Sequence, residues 1–151
     1  GGNRDQNKRA KMGKIADLFS DKIYLTDDNP RLEQPSKIRK DIKKGIKKQK
    51  VLEFTNRAKA ISEAIKHLNT GEILLVAGKG HETVQEIGVK KFFFSDKKII
   101  LDAIKTKNIN LSNNLKINIL NEHSGEKKRS NRIYMEKARI KSKEIKKNDI
   151  F

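Results

Sequence analysis

Ile73-Leu74-Leu75-Val76-Ala77 runs directly into Gly78-Lys79-Gly80-His81-Glu82, an apolar stretch followed by a polar, glycine-rich turn. A short continuous apolar run of this kind is the pattern of a parallel strand buried on both faces. Some fifty residues upstream the same order recurs: Lys22–Thr26 reads as a strand, and Asp28-Asn29-Pro30-Arg31 follows it. In an open α/β sheet, the loops leaving the carboxyl ends of strands are where ligands bind. Together these two loops present an Arg, an Asn, a Pro-stiffened turn, a Gly-rich backbone and a Glu. That set suits a small zwitterion carrying both a carboxylate and an ammonium group.

Around these runs the apolar spacing is mostly helical. Met12, Ile15, Ala16 and Phe19 fall at i, i+3, i+4 and i+7, which predicts an amphipathic helix over 11–20. Pro35 and Ser36 precede Ile38, Ile42 and Ile46, a second helix with Pro in its first turn. Val51–Thr55 reads as a short strand, and Asn56 as the N-cap of a third helix that carries Ala58, Ile61, Ile65 and Leu68 inward. Thr70-Gly71 ends it. Ser95-Asp96 caps a last helix through Ile99, Ile100, Ala103 and Ile104. Strands alternating with helices predict an α/β fold, a Rossmann-like, mostly parallel sheet flanked by helices.

The 151 residues suffice for one domain with a core and an extra segment. Composition shifts after about Lys105, so we expect a domain over 1–105 and an Asn/Lys-rich linker and tail over 106–151. The absence of cysteine excludes disulfides and Cys-based metal sites. No stretch approaches the roughly 20 apolar residues that span a bilayer, and no apolar signal segment opens the chain. The expectation is a cytoplasmic piece of a longer protein, with no membrane insertion.

A net charge of +17 raises the competing reading of a basic α/β module that binds nucleic acid. The lysine excess favours it. The scatter of the charges and an aromatic content of 5% oppose it, because single strands need stacking platforms. We therefore expect no nucleic-acid partner and a solvated basic surface that attracts anionic nucleotides.

Several motif readings of the glycine loop fail. A phosphate-binding P-loop needs a Gly well before Gly-Lys and a Ser or Thr after it, but Ile73 and Gly80 stand there. Thr83 occupies the third glycine position of a dinucleotide fingerprint, and Gln85 the second His position of a zinc-protease helix. What remains is a tight loop whose glycines let a ligand approach the backbone.

Gly1-Gly2-Asn3-Arg4-Asp5, Lys8-Arg9, Met12-Gly13, Thr26-Asp27-Asp28-Asn29-Pro30-Arg31, Asn56-Arg57-Ala58 and Ala77-Gly78-Lys79-Gly80-His81-Glu82-Thr83 follow one another with a recognisable spacing. Over residues 1–105 the chain resembles the C-terminal domain of the Mur ligases, in particular the branch that adds meso-diaminopimelate to a UDP-linked muramoyl dipeptide. Ala10 stands where that family usually carries Pro, with a local effect on the loop.

The resemblance implies that Arg4, Asp28, Asn29, Pro30, Arg31, Gly78 and Glu82 bind the incoming meso-diaminopimelate. A guanidinium at Arg31 forks onto a carboxylate in a way that Lys cannot reproduce. Pro30 fixes the backbone before it, Asn29 donates to the same carboxylate, and Asp28 shapes the loop and accepts from the amine. Glu82 accepts from the distal ammonium, and its plain alternative is a surface carboxylate. His81 is read as a supporting or structural hydrogen-bonder. Lys79 is read as an anion-steering or simply exposed lysine. No residue here is expected to be catalytic or to bind metal.

The resemblance also implies the reaction. ATP, with Mg²⁺, phosphorylates the D-Glu carboxylate of the UDP-N-acetylmuramoyl dipeptide, and the amine of the amino acid displaces phosphate from the acyl phosphate. Both nucleotide and UDP precursor belong to domains outside this sequence, so the fragment alone is expected to be inactive. Finally, Ala138–Phe151 weakly resembles the opening of a second Mur ligase, with Lys141 and Asn148 replacing the expected Asp and Gly. The equal alternative is a basic tail.

Overall fold

The computed structural model describes residues 1–119, with side chains through 111. The second-ligase reading of Ala138–Phe151 lies outside the described residues. The element order is α1 (Asn7–Phe19), β1 (Ile23–Thr26), α2 (Pro35–Lys43), β2 (Val51–Phe54), α3 (Arg57–His67), β3 (Val84–Ile87), β4 (Lys90–Phe93) and α4 (Asp96–Ile119). The protein is α/β. Helix α2 is the crossover between β1 and β2, which pair in parallel from Ile23 opposite Val51 to Thr26 opposite Phe54.

Helix α3 packs on this pair, and its Ala60, Ile61, Ala64 and Ile65 join Ile23, Leu25 and Ile38 in the core. The Asn56 side chain accepts the Lys59 N–H at 2.9 Å, the expected N-cap. At the other end Lys107 of α4 donates to the carbonyls of Leu68 and of Ile65 (2.8 Å), the latter also accepting the Leu68 N–H, so a cation closes the last turn. Helix α4 continues through the Asn-rich stretch, where a linker was expected, because each Asn costs a helix only about 0.7 kcal/mol relative to Ala. Gly1–Asn110 forms one compact unit; of the second, Leu111–Phe151, the described part is the end of α4.

Two expectations fail, each for a physical reason. The apolar stripe of α1 faces solvent: Met12, Ile15 and Phe19 are exposed, and the buried face is Arg9, Gly13 and Asp17. Close backbone approach decides this. A Cβ on Gly13 would lie 2.0 Å from the Ile42 carbonyl oxygen, and one on Gly45 would lie 1.9 Å from that of Ala10. Glycine there lets the backbones touch, and the charged flanks are held by specific partners. Arg9 donates to Glu33 (2.8 Å) and Asp41 (3.2 Å), while Asp17 accepts the N–H groups of Lys47 and Gln49 at 3.1 and 2.8 Å.

The second is Ile73–Ala77, which is not a buried strand. No ladder partner pairs with it among the described residues, and Ile73 and Leu75 are 72% and 83% exposed. An apolar run reports a preference for burial; a strand also needs a neighbour to receive its hydrogen bonds. Beside the parallel β1–β2 pair, β3 and β4 form a separate antiparallel hairpin with Ile87 opposite Lys90. Its two-residue turn has Gly88 at φ +60°, the Gly-first pattern of a type II′ turn.

These ion pairs make stability pH-dependent. Burial pushes the Asp17 carboxyl up, but the amides of Gln49, Lys47 and Lys48 outweigh it and hold it below the ordinary 3.8. Bonds from Arg9 do the same for Glu33, and from Arg39 and Lys43 for Glu53, below 4.5. The unfolded chain then binds more protons, so stability is full above about pH 5 and falls as pH drops through the ordinary carboxylate values. Thermal melts at stepped pH should show the midpoint dropping below about pH 5 and flat above it. An unchanged midpoint at acid pH would contradict this.

Candidate functional site

Lys79 is not an exposed lysine. Its side chain has 0% exposure, and its ammonium donates to Asn29 Oδ1 at 2.7 Å and to the Val84 carbonyl at 2.6 Å. Asp28 Oδ1 lies 3.4 Å away and Glu82 Oε2 3.6 Å away. A buried ammonium must be paired, so this single side chain draws the loop after β1, the glycine loop and the start of β3 together. Asn29 completes the joint: Nδ2 donates to Glu82 Oε2 at 2.9 Å, and Oδ1 also accepts the Glu86 N–H at 3.1 Å. Pro30 is buried beneath the chain start, where Gly2 N donates to the Asn29 carbonyl at 2.8 Å. A Cβ on Gly2 would lie 1.8 Å from the Pro30 carbonyl oxygen, so only glycine fits.

Arg31 sits at φ +52°, a conformation that costs a non-glycine residue about 1–3 kcal/mol and so must be held. Two backbone bonds hold it, from Arg31 N to the Glu86 carbonyl (3.1 Å) and from Gly88 N to the Arg31 carbonyl (2.8 Å). Its guanidinium donates through Nε to Glu86 at 2.8 Å and through Nη1 to the Gly2 carbonyl at 2.9 Å. Asn29, Arg31, His81, Glu82, Thr83 and Glu86 line a cleft of about 350 Å³. It therefore offers one guanidinium and one half-exposed carboxylate, Glu82, on the same opening.

The glycine loop is anchored from behind. Arg57 forks onto Asp96 at 2.8 and 2.6 Å and also donates to the Ala77 carbonyl at 3.0 Å. Gly78 follows at φ +117°, a conformation L side chains rarely adopt, and its Cβ direction points between Asp28 and Arg57.

A family model for the Mur ligase, glutamate ligase domain matches residues 1–80. The chain belongs to the Mur ligase family. A UDP-N-acetylmuramoyl-L-alanyl-D-glutamate–2,6-diaminopimelate ligase of Rickettsia rickettsii is 50% identical over 105 residues, 70% of this chain and 22% of that protein. The ligase of the same name from Chlorobium phaeobacteroides is 47% identical over 108 residues, 72% of this chain and 21% of that protein. A solved structure of such a ligase superposes with a TM-score of 0.68 at 36% identity, covering 72% of this chain and 23% of that one. The chain thus spans about a fifth of the length of the relatives it matches.

Within this Mur ligase domain the sequence-predicted residues fall into two groups. Asp28, Asn29, Pro30, Arg31, Gly78, Lys79, His81 and Glu82 come together around the cleft or directly behind it. Arg4 does not: it is exposed, and no contact joins it to the cluster among the described residues. Sequence reasoning missed Glu86, since Gln85-Glu86 carries no pattern beyond its strand. It left Arg57 without a contact, although the Asn56-Arg57-Ala58 motif had already marked it. Among the described residues no helix is long and apolar enough to cross a membrane, and no group of His, Cys, Asp and Glu could hold a metal ion.

Proposed function

We propose that this chain is the amino-acid-binding domain of a cytoplasmic ligase that adds meso-diaminopimelate to UDP-N-acetylmuramoyl-L-Ala-D-Glu. The observation that carries the reading is the pairing of Arg31 and Glu82 on one cleft. Diaminopimelate ends in an ammonium and a carboxylate on one carbon, so its far end matches a carboxylate and a guanidinium side by side. Arg31 binds that distal carboxylate, Glu82 accepts from the distal ammonium, and Asn29 supplies a further donor. Lys79 and Arg57 keep the loops in register. The gain in rate comes from holding the near amine where the activated precursor presents its carbonyl.

ATP and Mg²⁺ supply the activation of the precursor carboxylate in this reaction, and the described residues of this chain do not fit them. The Lys79 ammonium that a phosphate would need is already bonded to Asn29 and Val84, and the acidic groups nearby form no metal cluster. Nucleotide, metal and UDP precursor accordingly belong to other domains of a longer ligase, and we assign no nucleic acid and no membrane to this one.

The test is competition between amino acids. The ligase carrying this domain, supplied with UDP-N-acetylmuramoyl dipeptide and ATP, should add meso-diaminopimelate and discriminate against L-lysine by about 10⁴-fold, as sites built on a buried polar contact do. The 151-residue chain alone should neither hydrolyse ATP nor form the bond. Equal use of lysine, or turnover by the fragment, would overturn the reading.

A further inference from the structure

We propose that Glu86 is a positioning residue: its carboxylate holds the Nε edge of Arg31 so that the rest of the guanidinium faces the cleft, ready for the carboxylate of the incoming amino acid. This rests on the reading of Arg31 given above. The Nε–H goes to Glu86 Oε2 at 2.8 Å and Nη1 goes to the Gly2 carbonyl at 2.9 Å. Nη2 has no hydrogen-bond partner among the described residues. An arginine side chain has many rotamers, and its planar fork recognises a carboxylate well only when its plane is already set. Glu86 sets it from one side and Gly2 from the other.

The carboxylate of Glu86 is not needed to dock the hairpin. Three backbone groups do that: the Glu86 carbonyl accepts from Arg31 N, Glu86 N donates to Asn29, and Gly88 N donates to the Arg31 carbonyl. Its side chain is therefore available for orientation alone. Burial raises the Glu86 carboxyl, but Lys91 and Arg31 outweigh it and keep it below the ordinary 4.5, hence ionised at neutral pH. Glu86 also places a negative charge near the ligand's own. Lys91 Nζ, 3.4 Å from Oε1, and Arg31 both neutralise it, so the ligand meets an ion pair rather than a bare carboxylate.

The experiment compares Glu86→Ala and Glu86→Gln with Arg31→Ala in the ligase that carries this domain. Glu86→Ala should raise the KM for meso-diaminopimelate about tenfold, the scale of freeing one rotamer-rich side chain, with kcat and the KM for ATP unchanged. Glu86→Gln keeps an oxygen for the Nε–H and should recover most of the loss. A purely structural role would instead move kcat, both KM values and the melting midpoint together, and would overturn the proposal. So would an unchanged or lowered KM in Glu86→Ala, the latter marking Glu86 as a competitor of the substrate. If Arg31→Ala raises this KM and Glu86→Ala does not, only the role of Glu86 fails. If neither has an effect, the assignment of Arg31 fails with it.

Discussion

Arg31→Ala should raise the KM for meso-diaminopimelate by roughly 10²-fold or more, since truncating one partner of a hydrogen-bonded, desolvated charge pair costs about 2–5 kcal/mol. The KM for ATP should stay near wild type, because the proposed function places the nucleotide in another domain. Arg31→Lys should recover little. Lysine can supply the charge, but it cannot donate to Glu86, the Gly2 carbonyl and a ligand from one rigid plane. Selectivity should collapse with affinity. L-Lysine lacks the distal carboxylate, so wild type leaves the Nη2 edge of Arg31 without its ligand partner when lysine binds, and the Ala variant has no such edge. Steady-state kinetics with both amino acids, on variants whose melting curves match wild type, check this. An unchanged KM for diaminopimelate in Arg31→Ala would remove Arg31 from the site.

The largest effect on stability is expected at the Arg57–Asp96 pair. Both side chains are nearly inaccessible, at 4% and 6% exposure, and two short bonds join them. Removing either partner strands a buried charge, which costs about 3–5 kcal/mol. For a domain of this size that lowers the melting midpoint by about 10–20 °C. The loss should exceed that from breaking an exposed pair such as Lys66–Glu63, worth at most about 1 kcal/mol. The double variant Arg57→Met/Asp96→Leu separates charge from packing: it should be more stable than either single variant. Because Arg57 also holds the Ala77 carbonyl, Arg57→Ala should loosen the glycine loop and weaken amino-acid binding as well. Single variants that melt like wild type would show that the pair is not holding α3, α4 and the loop together.

Local chemistry was the most legible part of the sequence. β1, β2, the Pro-started α2 and the Asn56-capped α3 stand close to where periodicity and capping put them, because each is decided within a few residues. The family resemblance, carried by ordered motifs, assigns the loops at 28–31 and 78–82 to one site from the sequence alone.

Tertiary structure decided the rest. Periodicity sees that Met12, Ile15 and Phe19 share a face; it does not see that Gly13 and Gly45 allow a closer approach on another, which buries Arg9 and Asp17 instead. Composition makes Lys79 one more surface lysine, and only long-range contacts to Asn29 and Asp28 turn it into the buried joint of the site. Glu86 has no signal at all along the chain, because its meaning is a 2.8 Å contact with a guanidinium 55 positions away. Helices, caps and turns follow from neighbours in sequence. Which charges are buried, and which edge of Arg31 remains for a ligand, follow from partners that only the folded chain brings within bonding distance.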